Sequence, residues 1–225
     1  MIEISDQWKQ TYPGAVVGVL VMREAANQVS HEGIDRLAQG IEDGLREKFA
    51  AAGKPALKSH PVIAAYDSYY KAFRKTYHVA LQLESVIWKS RSIPSINAIV
   101  KAMFMAELSN MLLTAGHDMG KVALPLRLDV GRESESYIAM GGEERVVKEG
   151  DMRISDASGV ISSIIGGPDE RTSISLRTKD LLFTVYAPPG IGDAPVRSHL
   201  DDVRRFVKTI APQAVTERAE THRAD

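Results

Sequence analysis

Gly116-His117-Asp118 sets a histidine beside a carboxylate, the sharpest pairing of chemical groups in a sequence of 225 residues. Where such a pair lines a site it holds a water or polarises a carbonyl, because imidazole titrates near neutrality. In the alternative reading Asp118 caps a turn and His117 is a surface residue. Ser162-Ser163 sits inside an apolar run. A half-buried strand turns one of the two hydroxyls inward, where it needs a partner. Arg127 interrupts the apolar LPLRLDV and either snorkels to solvent or pairs with a carboxylate or phosphate. Gly166-Gly167 lets a backbone approach a ligand closely, or simply turns the chain. The six histidines form no HxxxH or HxH pair, so no metal site is expected. The absence of cysteine removes disulfides, thiolate nucleophiles and cysteine metal sites together. With no GxSxG elbow, Walker loop or dinucleotide GxGxxG in the sequence, no cofactor is expected.

These residues need elements to hold them. The run Ala15 to Met22 reads as a buried strand, and Ser30 as the cap of a helix carrying Ile34, Leu37, Ile41 and Leu45 on one face. Gly53-Lys54-Pro55 breaks that pattern. A second helix follows Pro61 with Tyr66, Tyr69, Tyr70 and Phe73 at helical spacing, a core face rather than a base-stacking platform. Ser95 to Gly116 is apolar almost all round and reads as a central helix, with Gly116 as its left-handed cap. Its polar exceptions are Asn97, Lys101, Glu107, Ser109 and Asn110.

After Gly116 the period changes to two. Leu124 to Val130, Tyr137 to Met140, Glu144 to Val147, Met152 to Ser155, Val160 to Ile165 and Leu181 to Ala187 read as strands, with glycine-rich turns between them. A last amphipathic helix follows Pro195, and the segment from Gln213 reads as a frayed polar tail. The expected fold class is α+β: a helical N-terminal half packed on antiparallel, sandwich-like sheets. Residues 1–212 form the expected single domain, and 213–225 the tail.

Lys and Arg number 28 against 29 Asp and Glu, a formal charge of -1, which gives no general attraction to a nucleic-acid backbone. Neither a signal peptide nor a membrane span is apparent, so a cytoplasmic location and no membrane partner are expected.

The run SIPSINAIVKAMFMAELSNMLL, then GHDMGKV, LPLRLDV, the turn at Gly142, the strand ending at Asp156, ISSIIGG and RTKDLLFTVYAPP together resemble the B3/B4 editing domain of the phenylalanyl-tRNA synthetase β subunit. The chain is especially similar to free-standing proteins built from that domain, from about Tyr12 to Pro212. The resemblance implies an α+β domain enclosing a pocket that hydrolyses a wrongly attached amino acid, chiefly tyrosine, from tRNA. It therefore implies a trans-editing deacylase acting on the 3′ end of a charged tRNA, with a synthetase or another recruiting protein as a further partner. A binding module for an amino acid, nucleotide or charged tRNA end is the alternative, and a metabolic enzyme reusing the pocket is a third. Catalysis is expected from His117 and Asp118. Substrate binding is expected from Asn97, Arg127, Ser162, Ser163, Gly166, Gly167 and Thr184. Thr184 stands where the family has its editing carboxylate, and Ala115 where it has a histidine, with His117 close by.

Overall fold

The computed structural model describes residues 2–225. The elements run β1 (Ile2–Ile4), α1 (Asp6–Thr11), β2 (Val16–Arg23), α2 (Glu32–Ala50), α3 (Gly53–Lys58), α4 (Pro61–Ala72), α5 (His78–Trp88) and α6 (Ala98–Asn110). There follow β3 (Thr114–Asp118), β4 (Leu126–Val130), β5 (Ser136–Ile138), β6 (Glu144–Val146), β7 (Met152–Asp156), β8 (Gly159–Ser163) and β9 (Gly167–Pro168). The chain closes with β10 (Leu181–Ala187), α7 (Asp193–Ile210) and β11 (Val215–Arg223). Five helices in near succession, then short strands, give the α+β class expected from the change of period.

Two sheets face each other. One has the order β11-β2-β10-β3 and is antiparallel throughout; the other has the order β1-β4-β7-β8-β9. In the second sheet β1 lies parallel to β4 and the remaining pairs are antiparallel. All seven residues of β10 are buried, because β10 is central in its sheet and covered on both faces. On one face Gly18 of β2 lies so close to Val196 and Leu200 of α7 that a β-carbon there would collide with them. On the other face the Tyr186 hydroxyl meets Ser162 Oγ of the second sheet at 2.5 Å. Helix α7 thus covers one side of the first sheet, and the second sheet covers the other.

Tyrosines of α4 and of the turn after it bind these layers together. Tyr66 donates to the Tyr186 carbonyl and accepts from the Leu113 N–H at 2.9 Å. Tyr77 donates to the Met111 carbonyl at 2.9 Å. Tyr70 donates to the Ile164 carbonyl at 3.0 Å, and Tyr69 to Asp151 Oδ1 at 2.6 Å. The aromatic face predicted for this helix is therefore core, and each hydroxyl meets a polar group that burial would otherwise strand.

Several boundaries differ from the sequence reading. His31, one residue after Ser30, caps α2, its ring Nδ1 accepting from the Ile34 N–H at 3.3 Å. The break at Gly53 to Pro55 is itself the start of the short α3. The central helix α6 stops at Asn110, not at Gly116, with Met111 rather than a glycine in the left-handed cap at φ 61°. Gly116 lies inside β3, where a β-carbon would crowd Ile174 and Met103 at 2.9 Å each. Most of the expected polar tail, 213–225, is β11, paired along β2 from Val215↔Arg23 to Arg223↔Val16. Its side chains are polar on both faces because it is an edge strand, held by its backbone ladder. No helix among the described residues is long and apolar enough to cross a membrane.

The Tyr69–Asp151 contact offers a test of the core. Asp151 is fully buried and also accepts from the Ile165 N–H at 2.9 Å, while Tyr69 accepts from the Met152 N–H at 2.6 Å. Tyr69→Phe removes the tyrosine partner of Asp151 Oδ1 and the acceptor of the Met152 N–H, so urea unfolding should show a loss of about 1–3 kcal/mol. An unchanged midpoint would show that these bonds carry no stability.

Candidate functional site

A cavity of about 350 Å³ opens between α6, the start of β3, the N-terminal turns of α5 and the chain from Ser163 to Pro168. Its walls are mainly apolar, with Val100, Met103 and Phe104 from α6 facing Ile174 and Pro168. Ile96 and Met140 also line it and are largely exposed. The polar residues in the lining include Glu107, Ser163 and Tyr186. A mostly apolar pocket of this size with a few convergent polar groups has the character of a small-molecule site.

Glu107 is the unusual member. It is 1% exposed, one turn from the end of α6, and reaches across the corner so that Oε2 accepts from the Thr114 N–H at 2.9 Å. Burial drives its pKa up to about 8, and the Thr114 hydrogen bond only partly opposes this. A carboxyl group that gains and loses its proton near neutral pH, at the wall of a mostly apolar cavity, is suited to acid–base work.

Glycines shape the opposite wall. At Gly166 a β-carbon would run into the Tyr137 hydroxyl and Ser163 Oγ. Its N–H donates to Ser163 Oγ at 2.9 Å, which fixes that side chain in the lining. Gly167 takes φ +76°, a conformation that side chains rarely adopt.

The residues singled out from sequence divide into two groups. Ser163 and Gly167 line the cavity, Gly166 lies beside them, and Ser162 stands one layer behind through Tyr186. Thr184 is fully buried on the same face of β10 as Tyr186, and its hydroxyl has no hydrogen-bond partner among the described residues; it is not in the lining. Asn97 caps α6, accepting from the Val100 N–H at 2.9 Å, and Arg127 is exposed on β4 beside Asp129 at 3.2 Å. Neither reaches the cavity.

His117 and Asp118, expected as catalytic, are also outside the lining. Because β3 continues to Asp118, His117 points between the two sheets. It is fully buried, with Nδ1 2.7 Å from Thr172 Oγ1, which in turn donates to Asp169. Burial and the nearby Arg171 charge lower its pKa to about 3, so it is neutral at physiological pH and cannot donate as an imidazolium. Asp118 caps the turn at Met119–Lys121, accepting from the Gly120 N–H at 3.0 Å and from Thr178 Oγ1 at 2.7 Å. The capping reading of Asp118 is the one the geometry supports. Glu107 is visible in the sequence only as one of several polar exceptions on an apolar helix. No cluster of potential metal ligands occurs among the described residues.

The B3/4 domain family matches residues 65–222. A solved N-terminal fragment of the phenylalanyl-tRNA synthetase beta-subunit from Pyrococcus horikoshii matches with 13% identity and a TM-score of 0.48. That match covers 98% of this chain and 50% of the fragment, so the chain spans half the length of that structure. No curated protein matches.

The raised pKa of Glu107 makes a thermodynamic prediction with a definite sign. The folded state holds this proton up to about pH 8, whereas an unfolded glutamate releases it near ~4.3. The group's contribution to stability is therefore complete at low pH and declines as pH rises through that window. Glu107→Gln keeps an oxygen for the Thr114 N–H and removes the titration. The variant's stability relative to wild type should rise between pH 5 and pH 9 by on the order of a few kcal/mol in urea unfolding. A difference independent of pH would place the Glu107 pKa in the ordinary range.

Proposed function

The chain belongs to the B3/4 domain family, and from that membership we propose that it hydrolyses the ester of an aminoacyl-tRNA, with Glu107 as the acid–base group. The observation that carries this reading is a single buried carboxyl of near-neutral pKa in a mostly apolar cavity. The aminoacyl side chain, apolar or aromatic, packs among Met103, Phe104 and Ile174, and the ester carbonyl lies toward Glu107.

Ionised Glu107 takes a proton from a water as the water oxygen attacks the carbonyl carbon. The Ser163 hydroxyl donates to the oxyanion that develops. When the tetrahedral intermediate collapses, the C–O bond to the ribose breaks and the carboxylic acid passes its proton to the leaving oxygen. Free amino acid and uncharged tRNA result, with no other reactant than water. A base whose pKa lies near the working pH combines adequate basicity with a useful ionised fraction.

The same pKa supports a second reading. At neutral pH much of Glu107 is protonated, and a neutral carboxylic acid serves well as a donor to a bound carbonyl. The site would then capture a charged tRNA end without turning it over. Either activity is compatible with a recruiting partner, such as a synthetase, and with work in the cytoplasm.

Deacylation of tRNAs carrying different wrong amino acids separates the two readings. A hydrolase should show kcat/KM rising with pH below about 8 over the rate without protein. Glu107→Gln should lower kcat by about 10² to 10⁴ with little change in KM. Saturable binding with no turnover on any charged tRNA would leave the capture reading, and full activity in Glu107→Gln would remove Glu107 from the chemistry.

A further inference from the structure

A second depression, of about 470 Å³, adjoins the apolar cavity and differs from it in charge. Its lining includes Lys75, Arg145 and Lys148, with Glu144 as the one carboxylate. The two spaces share a wall. His78 lines both, and the groove ends at Gly166 where the cavity begins at Gly167. Arg145 is drawn to that wall by donating to the Gly166 carbonyl. None of the three cations enters an ion pair with a carboxylate among the described residues. Glu144 is engaged by the Ser136 hydroxyl at 2.8 Å. In a chain whose formal charge is -1, three uncommitted cations around one groove are a local excess that overall composition conceals.

We propose that this groove binds the phosphodiester backbone of the single-stranded RNA whose aminoacylated end occupies the apolar cavity. The inference rests on the deacylase or capture reading of the cavity and adds the means by which the chain holds its substrate. A strand that leaves the cavity at the His78 and Gly166 wall enters the groove at once. Arg145 meets the first phosphate, since its guanidinium is already fixed there, and Lys75 and Lys148 follow as mobile point charges. The subsite reads no sequence, because phosphate contacts position a strand without identifying its bases.

Fluorescence anisotropy of a labelled, uncharged eight-nucleotide RNA ending in CCA tests this across a salt series. Three phosphate contacts predict a log–log salt slope of about −2 for single-stranded RNA, and the double variant Lys75→Ala/Lys148→Ala should reduce it to about −0.7. All the substituted side chains are exposed, so the variant should keep the wild-type unfolding midpoint. Hydrolysis of an aminoacyl-adenosine ester, which has no phosphate, should be unchanged in the variant, whereas KM for the aminoacyl-tRNA should rise about tenfold or more. Equal affinity and slope in wild type and variant would overturn the proposal. So would poly-glutamate of matched charge displacing the RNA as well as unlabelled RNA does, since the groove would then suit an acidic protein. Absence of ester hydrolysis with the predicted salt slopes intact would count against the catalytic reading and uphold the groove.

Discussion

The hydrogen bond from the Thr114 N–H to Glu107 Oε2, 2.9 Å long, joins the end of α6 to the first residue of β3. Much of the site depends on it. The chain reverses there through Met111 in a left-handed conformation, and the backbone groups of the reversal are buried. Tyr77 takes the Met111 carbonyl, Tyr66 takes the Leu113 N–H, and Glu107 takes the Thr114 N–H. Thr114 Oγ1 meanwhile meets the ring of buried His199 on α7 at 2.7 Å. A corner satisfied from three helices cannot shift without leaving polar groups dry, which costs more than the bonds themselves return. The constraint fixes Glu107 at the cavity wall, and the same burial raises its pKa.

This arrangement explains what the sequence made legible. Strands β4 to β8 and β10 follow a period of two or a continuous apolar run, so their existence was readable. Helix α6 was readable because so long an apolar stretch can only be central. Its end was not, since the left-handed cap is Met111, whose burial outweighs the preference for glycine, while the glycine five residues on serves close packing in a strand. The edge strand β11 escaped because backbone pairing leaves no apolar period in the sequence. The position of His117 depended on the same corner. Had α6 run to Gly116, His117 would have begun a loop; with β3 starting at Thr114, the alternation of the strand sends it between the sheets.

Charge follows a similar logic. The near balance of acidic and basic residues hides an uneven distribution, with many of the arginines engaged by neighbouring carboxylates. Arg153 with Glu135 and Arg171 with Asp156 are buried or half-buried examples that support the second sheet. Lys75, Arg145 and Lys148 stand apart from that pattern. Their separation along the sequence, with α5, α6 and strands β3, β4 and β5 between Lys75 and Arg145, kept the groove from showing as a basic run.

The central claim is that the cavity beside Glu107 receives the aminoacyl end of the substrate. A crystal structure with a non-hydrolysable analogue, an aminoacyl group joined by an amide to 3′-amino-3′-deoxyadenosine, tests it most directly. The account predicts the amino-acid side chain packed between Met103 and Ile174, with the amide carbonyl facing Glu107 directly or through one water. An analogue seated elsewhere, with the cavity empty and the Glu107 carboxyl remote from the amide, would contradict it.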